Sequence, residues 1–515
     1  TMLSLSPLLS WLPAASRRLL LRPVRFSLAT VCLAAVVAGG FVPGRGVAAD
    51  DADAMPSWAP IALHPANPHY FLWRDRPAVL VTSGEHYGAL LNLDFDYLRY
   101  LDTLAVDGLN HTRTFSGVYR ELPSSFGITD NPLAPKPLQY ICPWLRSDQP
   151  GYKDGGNKFD LTKWDPAYFA RLHDFLKAAQ ERGIVVELTL FCTMYKDELW
   201  EVCPLNAINN VNGVGKCPRE EVFTLKHDDL TQVQLALVRK IVTELKAFDN
   251  LFYEICNEPY FHGVTLDWQH RIADEIAGTE KDFPHRHLIS RNVANGKARV
   301  ENPHPAISIL NFHYCVPPDV VAMNYDLDRV IGENETGFRG SDDLLYRSEA
   351  WAFLLAGGAL YNNLDYSFTP AHPGGTLLEY KSPGGGSAAL RKQLGALKRF
   401  LDELDFVHMK PDAGVIKSVS PELTRYALVN PGKAYAIYLH TPLPNKPKNI
   451  GDHRLTDATA TMTIELPPGK YRTKWVSTQN GLGDENEPVQ HAGGPMTLKS
   501  PVFSDDIALR ILAAE

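Results

Sequence analysis

Between about Ser57 and Asp412, short apolar runs rich in β-branched and aromatic residues alternate with longer amphipathic runs. That alternation is the pattern of parallel β/α units. Eight runs read as strands: Ala78–Thr82, Leu109–Thr114, Gly183–Phe191, Leu251–Ile255, His287–Arg291, Ile307–Tyr314, a run opening at Val330, and Ala359–Asp365. The clearest amphipathic stretch, Asp229 to Phe248, sets Leu230, Val233, Leu237, Ile241 and Leu245 on one helical face. Eight strands with helices between them predict a closed (β/α)₈ barrel. An open doubly wound sheet is the alternative, but no Gly-rich phosphate loop follows the first strand.

Two connections are long for such a barrel. Residues 116–164, after the second strand, hold Tyr119, Phe126, Tyr140, Trp144 and Tyr152, and residues 192–227 follow the third. Long connections in a compact domain are functional or disordered, and aromatic content argues for the walls of a binding site. After the eighth strand, Pro373-Gly374-Gly375 and Pro383-Gly384-Gly385-Gly386 read as a mobile lip. Beyond Pro411 the period changes to short alternating strands. Ala427–Val429 with Ala434–Tyr438, and Met462–Leu466 with Tyr471–Val476, read as hairpins. Residues 57–412 are therefore expected to form the barrel and 413–515 a small antiparallel β-sandwich.

Residues 1–49 are set apart. Four arginines up to Arg25 precede an apolar stretch from Ser27 to Val42, and Val47-Ala48-Ala49 supplies a small-residue cleavage site. This is the order of a secretory signal, and Ser16-Arg17-Arg18 loosely matches a twin-arginine one. The protein is thus expected in the periplasm or outside the cell. Cleavage after Ala49 removes five arginines and no acidic residue, moving the formal charge from −8 to −13. So acidic a protein has no electrostatic case for nucleic acid or an anionic membrane. Oligomeric state is not legible. In an exported protein Cys203 and Cys217 could staple the loop between them, with Cys142 and Cys192 as a second pair, whereas Cys256 and Cys315 read as buried thiols. No Cys-x-x-Cys spacing supports a metal site.

The chemistry lies where strands end. The fourth strand delivers Cys256-Asn257-Glu258-Pro259, and the seventh delivers Glu333-Asn334-Glu335-Thr336-Gly337. Alternation along a strand gives Glu254, Cys256 and Glu258 one parity and Glu333 and Glu335 another, with Glu258 and Glu335 outermost at the barrel mouth. The deeper Glu254 and Glu333 then require buried cations such as Arg113 or Arg291. Two glutamates facing each other across a mouth are what double-displacement cleavage of a glycosidic bond needs. One carboxyl holds a proton for the leaving group while the other is ionised and attacks.

Asn257-Glu258-Pro259 and Glu335-Thr336-Gly337-Phe338 resemble the strand-four and strand-seven motifs of the clan A glycoside hydrolases, which are retaining (β/α)₈ enzymes. The resemblance implies Glu258 as acid/base, Glu335 as nucleophile and Asn257 as holder of a sugar hydroxyl. It also implies that Arg113 matches the clan's strand-two arginine and His313-Tyr314 its strand-six positions. No cofactor or metal is called for, and the partner is an oligo- or polysaccharide. The strand-eight tryptophan usual in such enzymes is absent from Tyr361–Tyr366, which leaves the sugar open. Glu85, His86, Asp365 and Tyr366 stand at strand ends as further candidates for sugar hydroxyls, and Trp144 and Trp200 as stacking platforms. Glu333 in place of Glu335 remains an alternative nucleophile, and a sugar-binding protein on a catalytically silent barrel is the rival function.

Overall fold

All eight expected strands form in the computed structural model, which describes residues 58–514. They are β1 (Leu80–Gly84), β2 (His111–Phe115), β3 (Val185–Cys192), β4 (Leu251–Asn257), β5 (Ile289–Asn295), β6 (Ile309–His313), β7 (Val330–Thr336) and β8 (Leu360–Leu364). One parallel sheet runs in the order β1-β8-β7-β6-β5-β4-β3-β2. The seam between β1 and β2 is closed by Asn110. Its amide donates to the Val81 carbonyl at 3.3 Å, while its side-chain oxygen accepts from the Val81 amide at 2.9 Å. The sheet is a barrel and not an open doubly wound one. Every residue of β3 is buried, as a strand covered by helices outside and packed side chains inside must be. The expected signal segment lies outside the described residues.

Helices α1 (Tyr97–Val106), α2 (Pro166–Glu181), α3 (Asp228–Leu245), α4 (Leu266–Thr279), α5 (Asp319–Asn324), α6 (Asp343–Leu355) and α7 (Ala388–Asp402) surround the sheet. A helix follows every strand except β5, whose connection to β6 is irregular. Asp165 starts α2 by accepting from the Ala167 amide, with Pro166 pre-set for the first turn. Below the barrel, a small antiparallel sheet (Ala62–His64, Asn67–Trp73, Arg76–Ala78) covers the N-terminal strand ends. Trp73 and Arg74 reach from it to Asp249, just before β4, at 3.1 and 2.7 Å.

Two antiparallel sheets follow the barrel. Thr424–Asn430 and Ala434–His440 pair as the expected hairpin. The second expected hairpin does not form. Thr461–Leu466 pairs with Ile416–Ser420 and Gly494–Lys499 in one sheet, while Gly469–Val476 pairs with Asp506–Ala513 in the other. Pro467-Pro468 donates no amide to a tight turn, and the chain crosses between sheets there. Leu428, Ala436, Tyr438 and Ala508 of this part belong to the same apolar core as the barrel, and Ile437, Leu439, Ile464 and Leu509 form a second core between the two sheets.

The expected disulfides are absent, since Cys142, Cys192, Cys203 and Cys217 are all free. The 192–227 loop is held instead by side chains. Asn210 donates to the carbonyls of Asn206 and Val214 at 2.9 and 3.0 Å, and the Cys203 thiol turns away to the Val118 carbonyl at 3.3 Å.

Candidate active site

At the top of β4 the inward–outward alternation breaks. Asn257 and Glu258 are neighbours, yet both face one cavity. Glu258 takes a left-handed backbone with φ of 47°, and its amide is held by the Asn292 side chain of β5 at 2.9 Å. β7 breaks the alternation with a bulge. Against β6, Phe312 faces Glu333 but His313 faces Glu335, so one residue is extra. Asn334 and Glu335 therefore both point inward.

Glu333 does not share the parity of Glu335 as the spacing predicted. It accepts from the Cys315 amide at 2.6 Å and sits among Glu349 and Arg339 on the helical side. Burial and the Glu349 carboxylate push it well above the usual carboxylate range. Arg291 is not its partner either, because that side chain donates outward to Gln269 at 3.2 Å.

One oxygen from Glu258, one from Glu335 and a ring nitrogen of His313 lie within 4.8 Å of one another. Glu335 is heavily provided with donors. Tyr314 donates to Oε1 at 2.6 Å, and Tyr87 and Arg113 donate to Oε2 at 2.9 and 3.3 Å. Burial alone would raise this carboxyl. The charges of His313 and Arg113 and the two phenols outweigh it, so Glu335 titrates below its usual range. Glu258 accepts from Tyr195 at 2.5 Å and from Tyr260 at 3.2 Å. His313 lies beneath the pair, its Nδ1 3.2 Å from Glu258 and 3.6 Å from Glu335. Burial opposes its charge, but both glutamates pull its pKa up. The same three side chains could bracket a divalent cation, although the Arg113 guanidinium already neutralises one edge of the cluster.

Under the pair lies a polar layer inside the barrel. Arg113 donates to Glu254 at 2.5 Å and to Asn257 at 2.6 Å, and its guanidinium stacks over Tyr87 at 4.4 Å. Asn311 donates to Glu187 at 2.8 Å, and Asn334 donates to both Glu187 and Glu254. Burial, against the pull of Arg113 and with the repulsion of Glu187, raises Glu254 to about 8. Burial and the Arg113 charge depress His111 to about 3, so it is neutral.

The cavity is narrow, with a volume of about 50 Å³. Of the site residues expected from the sequence, Asn257, Glu258, Tyr314, Glu335, His86 and Tyr366 line it, and Arg113 and His313 lie directly beneath. Four other candidates do not reach it. Glu85 turns back to accept the Gly88 and Ala89 amides at 2.8 and 3.0 Å. Asp365 is buried against Arg391 at 2.7 Å and Ser367 at 2.5 Å, bracing the barrel wall. Trp144 is fully buried against Trp164 in a hairpin of the 116–164 loop (Trp144–Pro150 with Asn157–Trp164). Trp200 likewise packs inside its loop and donates to the Cys217 carbonyl at 3.0 Å. The expected mobile lip is packed: Gly386, with φ of 122°, passes so near Asp365 that a Cβ would meet its carboxylate at 2.3 Å.

Tyr87, Tyr195, Tyr260, Asn292 and Glu121 were not singled out from the sequence. Tyr87, next to His86, takes a left-handed backbone, as do Tyr314 and Phe338, with φ of 55°, 57° and 57°. Such conformations are disfavoured for bulky residues and cluster at functional sites. Tyr195 and Glu121 come from the long loops, where no periodic signal marks a position.

No family model matches this chain, and no curated protein matches it. Solved structures do. A glycoside hydrolase family 5 structure from Bacteroides vulgatus ATCC 8482 superposes with a TM-score of 0.57 at 13% identity, covering 88% of this chain and 93% of that one. Another, named only as a glycoside hydrolase, gives 0.58 at 13% identity over 88% and 97% of the two chains. The fold is one that glycoside hydrolases use. Coverage of 88% extends the likeness beyond the barrel into the antiparallel sheets that follow it.

Proposed function

We propose that this protein is a retaining glycoside hydrolase in which Glu258 is the acid/base and Glu335 the nucleophile. The observation that carries the reading is the approach of the two carboxyls within 4.8 Å across one cavity, with only one of them wrapped by Arg113, Tyr87 and Tyr314. Carboxyl groups roughly 5–5.5 Å apart leave no space for a water between carboxylate and anomeric carbon, whereas inverting pairs stand at about 6.5–9.5 Å. The ionised Glu335 attacks the anomeric carbon as the bond to the leaving oxygen breaks, and that oxygen takes the proton of Glu258. The glycosyl ester on Glu335 then falls to a water whose proton goes to the Glu258 carboxylate, which restores both groups and retains configuration. Asn257, bonded to Arg113 and Tyr195 in the cavity lining, is the residue to which we assign a sugar hydroxyl.

Incubation with a panel of 2-deoxy-2-fluoro glycosides, followed by peptide mapping, tests this. The expected adduct is on the peptide carrying Glu335. An adduct on Glu333 overturns the residue assignment, and no adduct or turnover with any sugar overturns the mechanism. Chelation should leave activity intact; a loss reversed by a divalent metal would favour a metal held by Glu258, His313 and Glu335. The arginine-rich order of residues 1–49 supports export, and N-terminal sequencing of the mature protein should begin near Asp50.

A further inference from the structure

A third carboxylate lines the cavity and takes no part in the double displacement. Glu121, on the loop after β2, is 2% exposed. It accepts from Tyr119 at 3.1 Å and Asn131 at 2.5 Å, and its Oε2 lies 3.3 Å from His86 Nε2. No lysine or arginine lines the cavity, and Arg113 beneath it is already engaged by Glu254, Asn257 and Glu335. The one basic donor to Glu121 is the His86 imidazole, and a buried carboxylate of this kind is costly to hold, so a neutral cavity wall would be the cheaper arrangement. The other His86 nitrogen, Nδ1, is buried with no hydrogen-bond partner.

Building on the glycosidase reading, we infer that Glu121 and His86 are specificity-determining residues that grip free hydroxyls of a neutral sugar and that the site rejects anionic sugars. With Tyr119, Asn131 and His86 already on the Glu121 carboxylate, one of its roughly four acceptor positions is left for a sugar hydroxyl. The paired imidazole offers a donor or an acceptor to the same ring. Aromatic side chains of the same lining, Tyr366 beside His86 and Phe338 beside Tyr314, suit the apolar face of that sugar. A uronic acid or sulfated unit would bring a further negative charge to a cavity that already holds three carboxyl groups and whose imidazole donors, His86 and His313, are already paired with Glu121 and Glu258.

The test is a set of aryl glycosides: neutral sugars, their singly deoxygenated analogues, and the matching uronides. On the unaltered protein, one neutral sugar should be turned over, its uronide at least about 10²-fold more slowly, and one or two deoxy analogues slower on the order of 10²-fold in kcat/KM. Glu121→Gln should cost a similar factor on the full sugar and little more on the deoxy analogue that wild type already handles poorly. Equal turnover of uronide and neutral sugar, or a deoxy series flat within threefold, overturns the inference while leaving the glycosidase reading intact. A protein inert on every sugar, with no fluoro-sugar adduct, overturns both.

Discussion

At the scale of single residues, the two glutamates differ by what surrounds them. On the proposed mechanism Glu258 delivers a proton, so Glu258→Gln should lower kcat by about 10²–10⁴-fold on glycosides with poor leaving groups. Dinitrophenyl glycosides, whose leaving group needs no proton, should lose far less in the first step, and comparing the two substrates in a stopped-flow burst checks it. Glu335 is depressed because positive charge and phenolic donors outweigh burial. A depressed carboxyl is protonated only when pH falls below the ordinary carboxylate range, so the acid limb of kcat/KM should lie below about pH 4.3. Tyr314→Phe removes the 2.6 Å donor and should move that limb to higher pH, with a loss of about tenfold or more in kcat/KM at acid pH. An unmoved limb would mean that Tyr314 does not stabilise the anion. Asn257, Glu258 and Glu335 were legible because their motifs are contiguous and sit at strand ends. Parity within the strands was not, because the left-handed Glu258 and the bulge at Asn334–Glu335 break the alternation at residues with no glycine to announce it.

At the scale of elements, β1 and β7 show what the site demands of the strands beneath it. Gly332 of β7 passes under Asn311, and a Cβ there would stand 2.2 Å from the Asn311 side-chain oxygen. Gly332→Ala should therefore destabilise by about 1–3 kcal/mol through overpacking. It should also reduce activity, because Asn311 helps hold Glu187 and Glu254. A thermal melt and an assay on the same preparation check both. Glu85 ends β1 in a cage of backbone amides, and burial nonetheless raises it from 4.5 to about 7. The folded state thus holds this proton more tightly than the unfolded chain does. Its contribution to stability is fully present below about pH 4.5 and is lost as pH rises through about 7, an effect of about 3 kcal/mol. Urea unfolding of wild type and Glu85→Gln at pH 4.5 and 7.5 should show the difference between them fall by that order. The eight strands were readable because each is a short apolar run between turn signals. The interior of the long loops was not, since Trp144 and Trp200 are spent on loop cores that only tertiary contacts define.

At the scale of the whole molecule, the barrel and the sheets after it are joined by more than a linker. Arg347 of α6 donates to Asp506 through Nη2 at 2.7 Å and through Nε at 3.0 Å, and Tyr438 donates to the same carboxylate at 2.9 Å. Trp351, also on α6, stacks on Tyr438 with ring centres 5.4 Å apart. The change of period near Pro411 made the second fold visible in the sequence, but not this buried ion pair, whose partners are 159 positions apart. A buried pair is poor evidence of net stability, yet removing one partner strands the other charge. Arg347→Met should accordingly cost about 3–5 kcal/mol, while the double change Arg347→Met with Asp506→Leu should recover much of it. Because α6 follows β7 and its outer face is completed by Tyr438 and Ala508, a chain ending at Asp412 would leave part of the barrel's apolar core uncovered. The full protein should then unfold in one transition seen alike by tryptophan fluorescence and by loss of activity, and the truncated chain should aggregate. A truncated barrel that stays soluble and fully active would show that the antiparallel sheets are an appendage and not a structural wall of the catalytic fold.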